Sequence, residues 1–263
     1  NIMPVYDIGA TEKNELYFTM KRVTGQSVGG AIRSAKAGEE IPEEFRSLDG
    51  RVRTFLKVCD ALSYAHHMGY IHQDIKPDNI MMGEYGEVLV LDWGSALNLL
   101  KKGPGGRNLY GTPAYMSPEQ ARREHADERS DVYCVGATFF HALTLRHPTW
   151  AEDPDEFWER KRRGEIDEPT DEERRRIPKA LLGIALKALA PDPDKRYQSI
   201  NELAEDLKRY QAGMAVSAHR ETWLDTFLRW YRKNRTLFWT VAAFCALVSG
   251  VGYLLLREKI QEM

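Results

Sequence analysis

The chain has 263 residues, of which 43% are hydrophobic and 29% are charged, the balance of a folded chain rather than a disordered one. Its 37 basic and 39 acidic side chains give a net charge of -2, which argues against a general nucleic-acid-binding protein. Cys59, Cys134 and Cys245 lie far apart without a CxxC pair, which excludes a disulfide framework and a structural zinc module.

Strand patterns alternate with helical patterns along the first 211 residues. Apolar residues at every second position in 3–5 and 16–20, separated by a polar stretch, predict a β-hairpin. Short apolar runs at 80–82 and 88–91 predict a second hairpin. Apolar residues at three- and four-residue spacing predict helices over the ranges 49–68, 130–144, 155–163, 178–190 and 199–211.

One uncharged apolar run, residues 236–256, departs from the composition of the rest. At about 1.5 Å per residue a helix of this length covers roughly 30 Å, the thickness of a bilayer core. A transmembrane helix is therefore predicted, with a buried core helix as the alternative. Four basic residues in 229–235 precede the run and fewer follow it, so the positive-inside bias predicts that residues 1–235 lie in the cytoplasm.

The segment before this run, residues 213–235, places Trp223, Phe227 and Tyr231 on one helical stripe and gathers basic residues at its end. Two interpretations stay open. The stripe is either an interfacial amphipathic helix on a membrane or a surface that packs back on the preceding domain.

Three motifs occur in order in the middle of the chain. They are His-Gln-Asp-Ile-Lys-Pro-Asp-Asn at 72–79, Leu-Asp-Trp-Gly at 91–94 and Gly-Thr-Pro-Ala-Tyr-Met-Ser-Pro-Glu at 111–119. Together they resemble the eukaryotic-type Ser/Thr protein kinases. An apolar run after the kinase-like region makes the chain similar to the bacterial membrane-anchored kind, which implies an inner-membrane location with protein substrates on the cytoplasmic side.

The resemblance implies a set of catalytic residues. Asp74 stands at the position of the base that orients the attacking hydroxyl, and Lys76 at that of the cation near the γ-phosphate. Thr112 stands where Ser/Thr kinases have a threonine that contacts these two side chains. Asn79 and Asp92 supply oxygen atoms that suit Mg²⁺. The structural alternative is that Asp74 and Asp92 are loop carboxylates that cap turns.

The same resemblance implies an ATP site. Met20 corresponds to the gatekeeper position, and Lys21 to Val23 form the hinge whose backbone groups bond adenine. Met81 corresponds to the floor of the adenine pocket, while Asp92 faces the phosphates. Taken alone, each apolar position in this set is an ordinary core position.

Other matches are structural. Glu119 and Arg196 correspond to a buried ion pair, and Asp131 to the residue that anchors the backbone of the catalytic loop. His72 is expected to pack under Trp93, and a metal-binding role for it is not expected.

Absent motifs lead to a prediction about completeness. The sequence contains no Gly-x-Gly-x-x-Gly loop and no Val-Ala-Ile-Lys strand. We therefore expect a chain that begins near the fourth strand of a kinase small lobe and that, by itself, is inactive in phosphate transfer. The predicted divisions are the end of the small lobe and the hinge at 1–26, the large lobe at 27–212, the juxtamembrane segment at 213–235, the transmembrane helix at 236–256 and an extracytoplasmic part at 257–263.

Gln73 stands where most of the family has an arginine that receives an activating phosphate, and it carries no charge. Between Ala96 and Gly111 there is no Ser or Thr, and Tyr110 carries the sole side-chain hydroxyl. We predict that activity does not depend on phosphorylation of this segment. Control by dimerisation, as a homodimer, or by a domain across the membrane is the expectation.

The predicted fold class is α+β, a kinase-like C-terminal lobe that is mostly helical, followed by a single transmembrane helix. The predicted function is ATP-dependent and Mg²⁺-dependent phosphorylation of Ser/Thr in protein substrates. Two alternatives are a pseudokinase-like binding module at the membrane and a small-molecule phosphotransferase. Intact Asp74, Lys76, Asn79 and Asp92 argue against the first, and Lys76 with the segment at 111–115 argues against the second.

Overall fold

The computed structural model describes residues 1–100 and 111–219, together with 231, 234–236, 238–241, 243–245 and 247–250. The chain divides into two units, Asn1–His219 and Arg220–Met263. In the second unit the described residues are largely helical, and the Trp239 indole N–H donates a hydrogen bond of 3.1 Å to the Tyr231 hydroxyl. The first unit carries the strands and helices considered below.

Seven strands form three small antiparallel sheets in the described part of the first unit. β1 pairs with β2, β5 lies between β3 and β6, and β4 pairs with β7. The strands are β1 (Val5–Ala10), β2 (Leu16–Met20), β3 (Gly25–Ser27), β4 (Tyr70–Ile71), β5 (Ile80–Gly83), β6 (Val88–Val90) and β7 (Leu97–Asn98).

The helices of this unit surround one hydrophobic core. In the described residues they are α1 (Val28–Ala37), α2 (Glu43–Arg46), α3 (Leu48–His67), α4 (Pro118–Ala121), α5 (Glu128–Thr144), α6 (Pro154–Arg163), α7 (Asp171–Arg176), α8 (Lys179–Ala188) and α9 (Ile200–Gln211). Short 3-10 turns at Pro77–Asn79, Trp93–Ser95 and Pro193–Lys195 connect them with the strands.

Local signals in the sequence account for the two longest helices. The Ser47 side chain caps α3 by accepting a hydrogen bond from the Gly50 amide, and Asp127 caps α5 by accepting one from the Arg129 amide. The apolar face of α3 repeats at three and four residues and is buried. In contrast, α5 is buried on all sides from residue 130 to residue 144, which makes it the central helix of the core.

α5 holds the core together because α3, α8 and α9 pack around it. Phe139 of α5 meets Phe55 of α3 with ring centroids 4.8 Å apart, a tilted aromatic pair. Near the start of α5, Asp131 reaches the loop that follows α3 and β4. This loop contains the first of the three motifs.

The two predicted hairpins are confirmed as β1 with β2 and β5 with β6. The five predicted helices are confirmed as α3, α5, α6, α8 and α9, with ends that differ by one or two residues. The predicted stripe at 213–235 and the extracytoplasmic part at 257–263 lie largely or wholly outside the described residues.

The predicted fold class, a mostly helical large lobe followed by a transmembrane helix, is wrong. Strands occur throughout residues 5–98 of the described chain, and β3 and β4 pair with partners far away in sequence, which a periodicity pattern does not register. Among the described residues, no helix has the length and apolar character needed to cross a membrane. Residues 237, 242, 246 and 251–256 of the predicted span lie outside the described residues.

Candidate active site

Asp74 lies in the loop that runs from the end of β4 to the 3-10 turn at Pro77–Asn79. Its Oδ1 accepts hydrogen bonds of 2.7 Å from the Thr112 amide and 2.8 Å from the Thr112 hydroxyl. Thr112 comes from the segment 111–117, so two motifs that are distant in sequence meet at this carboxylate. The fixed orientation suits a group that must point at a reacting hydroxyl.

Lys76 completes this group of side chains. Its Nζ donates to Asp74 Oδ2 at 2.8 Å and to Thr112 Oγ1 at 2.9 Å. Lys76 is about three-quarters buried, with 23% of its side chain exposed. The ammonium is therefore held beside the carboxylate by two acceptors rather than left free in solvent, and it is placed to meet negative charge.

Asn79 and Asp92 are brought together by the backbone. The Leu91 amide donates to the Asn79 carbonyl at 2.8 Å, and the adjacent pair Ile80 and Val90 is in register between β5 and β6. The Asn79 side-chain amide donates to the Asp74 carbonyl at 2.9 Å. Asn79 therefore connects the loop of Asp74 with the strand that leads to Asp92.

A cleft of about 810 Å³ opens between the β1–β2 hairpin and this group of residues. Asn79 and Asp92 line its polar end. Apolar side chains line the rest of the cleft, and they come mainly from the hairpin: Met3, Val5, Ile8, Leu16, Phe18 and Met20. An apolar cleft with a few polar groups at one end is the usual form of a site for a small organic ligand.

The predicted adenine-binding residues are distributed unevenly around this cleft. Met20 lines it, whereas Lys21, Val23 and Met81 are not among its lining residues. The Lys21 ammonium instead pairs with Glu87 at 2.5 Å, and this hydrogen bond raises the pKa of Lys21. Met81 is half-buried in β5, in register with Leu89.

Asp131, near the start of α5, anchors the backbone of the loop that carries Asp74, as the sequence predicted. Its Oδ2 accepts from the His72 amide at 2.8 Å and from His66 Nε2 at 2.9 Å, and its Oδ1 accepts from the Gln73 amide at 2.9 Å. Burial by itself would raise the pKa of Asp131, but the hydrogen bond and charge of His66, together with His72, outweigh it and lower the pKa.

His72 connects the loop to the second motif. Its Nε2 lies 2.9 Å from the Leu91 carbonyl oxygen, and its ring meets the Trp93 ring edge-on with centroids 4.6 Å apart. The predicted packing of His72 against Trp93 is therefore confirmed. No group of His, Cys, Asp and Glu in the described residues could hold a metal by protein side chains alone.

Left-handed backbone occurs on both sides of the site. Gln73 has φ of 69° and Asp92 has φ of 58°, which is uncommon for residues other than glycine. The Gln73 carbonyl accepts a hydrogen bond of 2.9 Å from the Gln120 side chain, which offsets part of the strain. At Gln73, therefore, contacts with Asp131 and Gln120 help to hold the left-handed conformation.

Two buried cations, Arg196 and Lys161, contact the segment that follows Thr112. Arg196 pairs with Glu119 through hydrogen bonds of 2.7 and 2.8 Å, which confirms the predicted buried ion pair. The Lys161 side chain on α6 is wholly buried, with Nζ 3.5 Å from the Ala114 carbonyl oxygen and 5.1 Å from the centre of the Tyr133 ring. Arg196 lies 5.0 Å from the same ring centre.

Mg²⁺ fits the polar end of the cleft. One carboxylate from Asp92 and one amide oxygen from Asn79 are hard oxygen donors. Mg²⁺ is usually held by one or two protein groups, with phosphate oxygens and waters completing the shell. A site with this small number of protein donors therefore suits a cation that arrives with a polyphosphate.

Residues 1–207 match the family model described as the protein kinase domain. The chain therefore belongs to the protein kinase family. The match contains the strand-rich region between residues 5 and 98, which corrects the prediction of a large lobe that lacks most of its small lobe.

Curated relatives of the chain are Ser/Thr-protein kinases. The Ser/Thr-protein kinase PknD of Protochlamydia amoebophila is 35% identical over 235 residues, covering 81% of this chain and 24% of the relative. PknD of Chlamydia felis is 31% identical over 237 residues, covering 81% of this chain and 25% of the relative. The prediction that the chain belongs to the protein kinases is confirmed. The chain spans about a quarter of the length of the curated relatives that it matches.

Sequence reasoning missed the connecting role of His66. The predicted helix over 49–68 contains this residue, and the structure places its ring on the anchoring carboxylate of Asp131. The signal was present, because a histidine on an otherwise apolar helical face is buried and needs a polar partner. Except for Met20, the hairpin side chains that line the cleft were also missed, since their alternation indicated only one common face.

Proposed function

We propose that the protein transfers the γ-phosphate of ATP to Ser or Thr hydroxyl groups of protein substrates. The observation that carries this proposal is the network of Asp74, Lys76 and Thr112, in which one carboxylate and one ammonium are fixed by a hydroxyl that bonds both. This arrangement provides a base and a cation side by side, and Asn79, which lines the polar end of the cleft, donates a hydrogen bond to the Asp74 carbonyl.

In the proposed reaction, Asp74 accepts a hydrogen bond from the substrate hydroxyl and takes its proton. The hydroxyl oxygen forms a bond to the γ-phosphorus as the bond from that phosphorus to the bridging oxygen of ADP breaks. Lys76 stabilises the charge on the phosphoryl oxygens during this transfer. Thr112 keeps Asp74 and Lys76 in position.

Asn79 and Asp92 would hold Mg²⁺, which supplies neutralisation of the phosphate charge when it is bound. The apolar part of the cleft, with Met20, would take the adenine. Lys21 and Val23 as hinge residues and Met81 as the pocket floor remain part of the proposal.

Substitution of Met20 by Ala should then weaken ATP binding more than substitution of Met81 by Ala, because Met20 lines the cleft.

The test uses the protein expressed from its complete gene, with γ-labelled ATP, Mg²⁺ and dephosphorylated casein. We expect labelled phosphoserine or phosphothreonine, and a loss of about 10²- to 10⁴-fold in the Asp74→Asn variant. Asp78→Asn is the matched control, since Asp78 lies in the same loop, is half exposed and pairs with Arg33 on the surface.

Two results would contradict the proposal. Equal label transfer by the wild type and by Asp74→Asn would remove the base from the mechanism. Binding of ATP without any transfer would support the binding-module alternative instead. The same assay on residues 1–263 tests the prediction that these residues alone are inactive.

Location and assembly stay predictions from the sequence. The excess of basic residues in 229–235 supports a cytoplasmic kinase domain at the inner membrane, which fractionation of cells would test. A homodimer as the regulated form would be tested by measuring the mass of the purified protein in solution.

A further inference from the structure

Lys161 is a buried lysine that the proposed reaction does not use. It is the one buried residue of α6, and its side chain is wholly inaccessible to solvent. A lysine ammonium carries three N–H donors. Among the described residues it meets one acceptor, the Ala114 carbonyl oxygen at 3.5 Å, and one aromatic face, that of Tyr133 at 5.1 Å. A charge with so few partners is costly to bury.

The groups around Lys161 do not supply a counter-charge of its own. The titratable or charged side chains that face it from neighbouring elements are Tyr133 and Cys134 on α5, His147 after α5, Glu119 on α4 and Arg196 before α9. Burial raises the pKa values of Tyr133 and Cys134, so both are neutral at pH 7. Glu119 is ionised, but both of its oxygens are bonded to Arg196. Burial lowers the pKa of Lys161 to about 8, so most of it still carries its proton at pH 7.

The carbonyl that Lys161 contacts belongs to the turn that carries Thr112. The Tyr115 amide donates to the Thr112 carbonyl at 2.9 Å, which closes a turn over residues 112–115. The Ala114 carbonyl and the Tyr115 amide form one planar peptide unit and point in opposite directions. The Lys161 ammonium and the Thr112 carbonyl therefore hold this unit from its two sides, and no other donor of the described residues reaches the Ala114 carbonyl.

Through Thr112 the same turn reaches the reacting groups. The Thr112 amide and hydroxyl donate to Asp74 Oδ1 at 2.7 and 2.8 Å. The hydroxyl also accepts from Lys76 Nζ at 2.9 Å. A displaced turn would therefore move the partners of both the base and the cation, and small displacements of this kind lower the rates of enzymes.

Helix α6 is fixed beside this turn by contacts other than those of Lys161. The Asp153 side chain caps its start by accepting a hydrogen bond of 2.9 Å from the Glu156 amide. Near its end, the Arg122 side chain donates to the Arg162 carbonyl at 2.6 Å, which joins α6 to the residue after α4. Replacement of the Lys161 ammonium should therefore leave the helix in place and change only what the turn rests on.

We propose that Lys161 is a positioning residue, whose ammonium holds the Ala114 carbonyl and so fixes the turn that carries Thr112. Because it is wholly buried, it touches neither the protein substrate nor ATP and acts through Thr112. Its effect on phosphate transfer rests on the proposed function, whereas its effect on the turn does not. Buried polar groups that lower stability are typical of functional sites.

Hydrogen exchange of the full chain tests the turn without reference to catalysis. In Lys161→Met, the amides of Thr112 and Tyr115 should exchange about 2- to 10-fold faster than in the wild type, the effect of losing one ordinary hydrogen bond. The amides of α5 should exchange no faster, because removal of the buried charge stabilises the core. Lys179→Met, at an exposed position, is the matched control and should exchange like the wild type.

Transfer of label from γ-labelled ATP to casein tests the effect on the reaction. Lys161→Met should lower kcat by about 2- to 10-fold. The KM for ATP should not change, since Lys161 does not line the cleft. Resistance to urea should rise in the same variant, so that rate and stability change in opposite directions. A residue with a merely structural role would move both in the same direction.

The pH profile separates the charge of Lys161 from its shape. The ratio of the wild-type rate to the Lys161→Met rate should fall as the pH rises through about 8, because the wild type loses its charged donor there. Titration of other groups near the reaction affects both proteins and cancels in this ratio.

Four results would overturn the proposal. These are unchanged exchange of the Thr112 and Tyr115 amides in Lys161→Met, an unchanged kcat, a rate ratio that is the same at pH 7 and pH 9.5, and a variant that unfolds more readily than the wild type. Absence of transfer by the wild type would instead refute the proposed function, and the exchange measurement would still decide whether Lys161 holds the turn.

Discussion

Glu119 and Arg196 meet through two parallel hydrogen bonds of 2.7 and 2.8 Å, although 77 residues separate them in sequence. The Arg196 side chain is 0% exposed and that of Glu119 is 7% exposed. The pair ties the segment that carries Thr112 to the turn before α9. A pair with this burial contributes mainly because neither charge can be left alone.

Glu119→Gln should destabilise the fold by about 3–5 kcal/mol, because it leaves the Arg196 guanidinium buried without its counter-charge. Urea unfolding at pH 7 measures the loss. Glu124→Gln, an exposed acid that pairs with Arg122, is the control and should change stability by less than about 1 kcal/mol. Equal effects of the two variants would contradict the prediction.

The same pair predicts a response to acid. Burial opposes ionisation of Glu119, but the hydrogen bonds and charge of Arg196, with help from Ser130, outweigh it and lower the pKa. This contribution to stability is therefore present above the ordinary glutamate pKa of about 4.3 and is lost as the pH falls through the folded-state value. Acid unfolding of the wild type should be steeper than that of Glu119→Gln.

Thr112→Ala should lower the rate of phosphate transfer by about 10- to 150-fold, the effect of losing a hydrogen bond to charged groups of about 1.5–3 kcal/mol. The Thr112 hydroxyl contacts both Asp74 and Lys76, while its amide contact with Asp74 persists in the variant. Thr112→Ser keeps the hydroxyl and should retain most of the rate. Comparable losses in the two variants would show that the methyl group, and not the hydroxyl, matters.

Lys161→Met should stabilise the protein by about 3 kcal/mol at pH 7, because burial lowers the pKa of Lys161 from 10.5 to about 8. Protonated lysine is then disfavoured in the folded state. Stability of the wild type should rise as the pH increases from about 8 to 10.5, since the unfolded chain holds the proton more tightly in this range.

Urea unfolding at pH 7 and at pH 9.5 checks this expectation for Lys161. The difference in the free energy of unfolding between Lys161→Met and the wild type should be smaller by about 2 kcal/mol at pH 9.5 than at pH 7. Lys179→Met, at an exposed position, should show no such change. A gap that is the same at both pH values would contradict the lowered pKa.

Treatment with a Ser/Thr phosphatase should leave the turnover rate unchanged. Residues 96–111 contain no Ser or Thr, and Gln73 has no charge with which to bind a phosphate. Mass spectrometry before and after treatment identifies the sites removed. Loss of activity together with a phosphate mapped to residues 95–112 would refute the expectation.

Much of the site could be predicted from the sequence because its parts are local. The motifs at 72–79, 91–94 and 111–119 contain the polar side chains of the site. The predicted contact of Thr112 with Asp74 and Lys76 is present. Helices such as α3 and α5 also carry local caps and an apolar pattern. Short-range signals of this kind can be recognised in the sequence alone.

The remainder depends on pairing over long distances. β3 pairs with β5 across more than fifty residues, and β4 with β7, although strands of two or three residues show no clear alternation. The cleft has the same origin, because its apolar walls belong to a hairpin whose partner surface is set by the fold. His66 is a further example, because its partner Asp131 lies 65 residues away in the sequence.

Because Asp131 on α5 accepts hydrogen bonds from the backbone of the loop that carries Asp74, we expect this loop and α5 to unfold together. Amides in exposed loops ordinarily exchange their hydrogens quickly, because small openings expose them to water. The amides of His72 and Gln73 are instead bonded to a fully buried carboxylate on the central helix. Their exchange should therefore be as slow as that of the helix, so the loop opens only when the core itself comes apart.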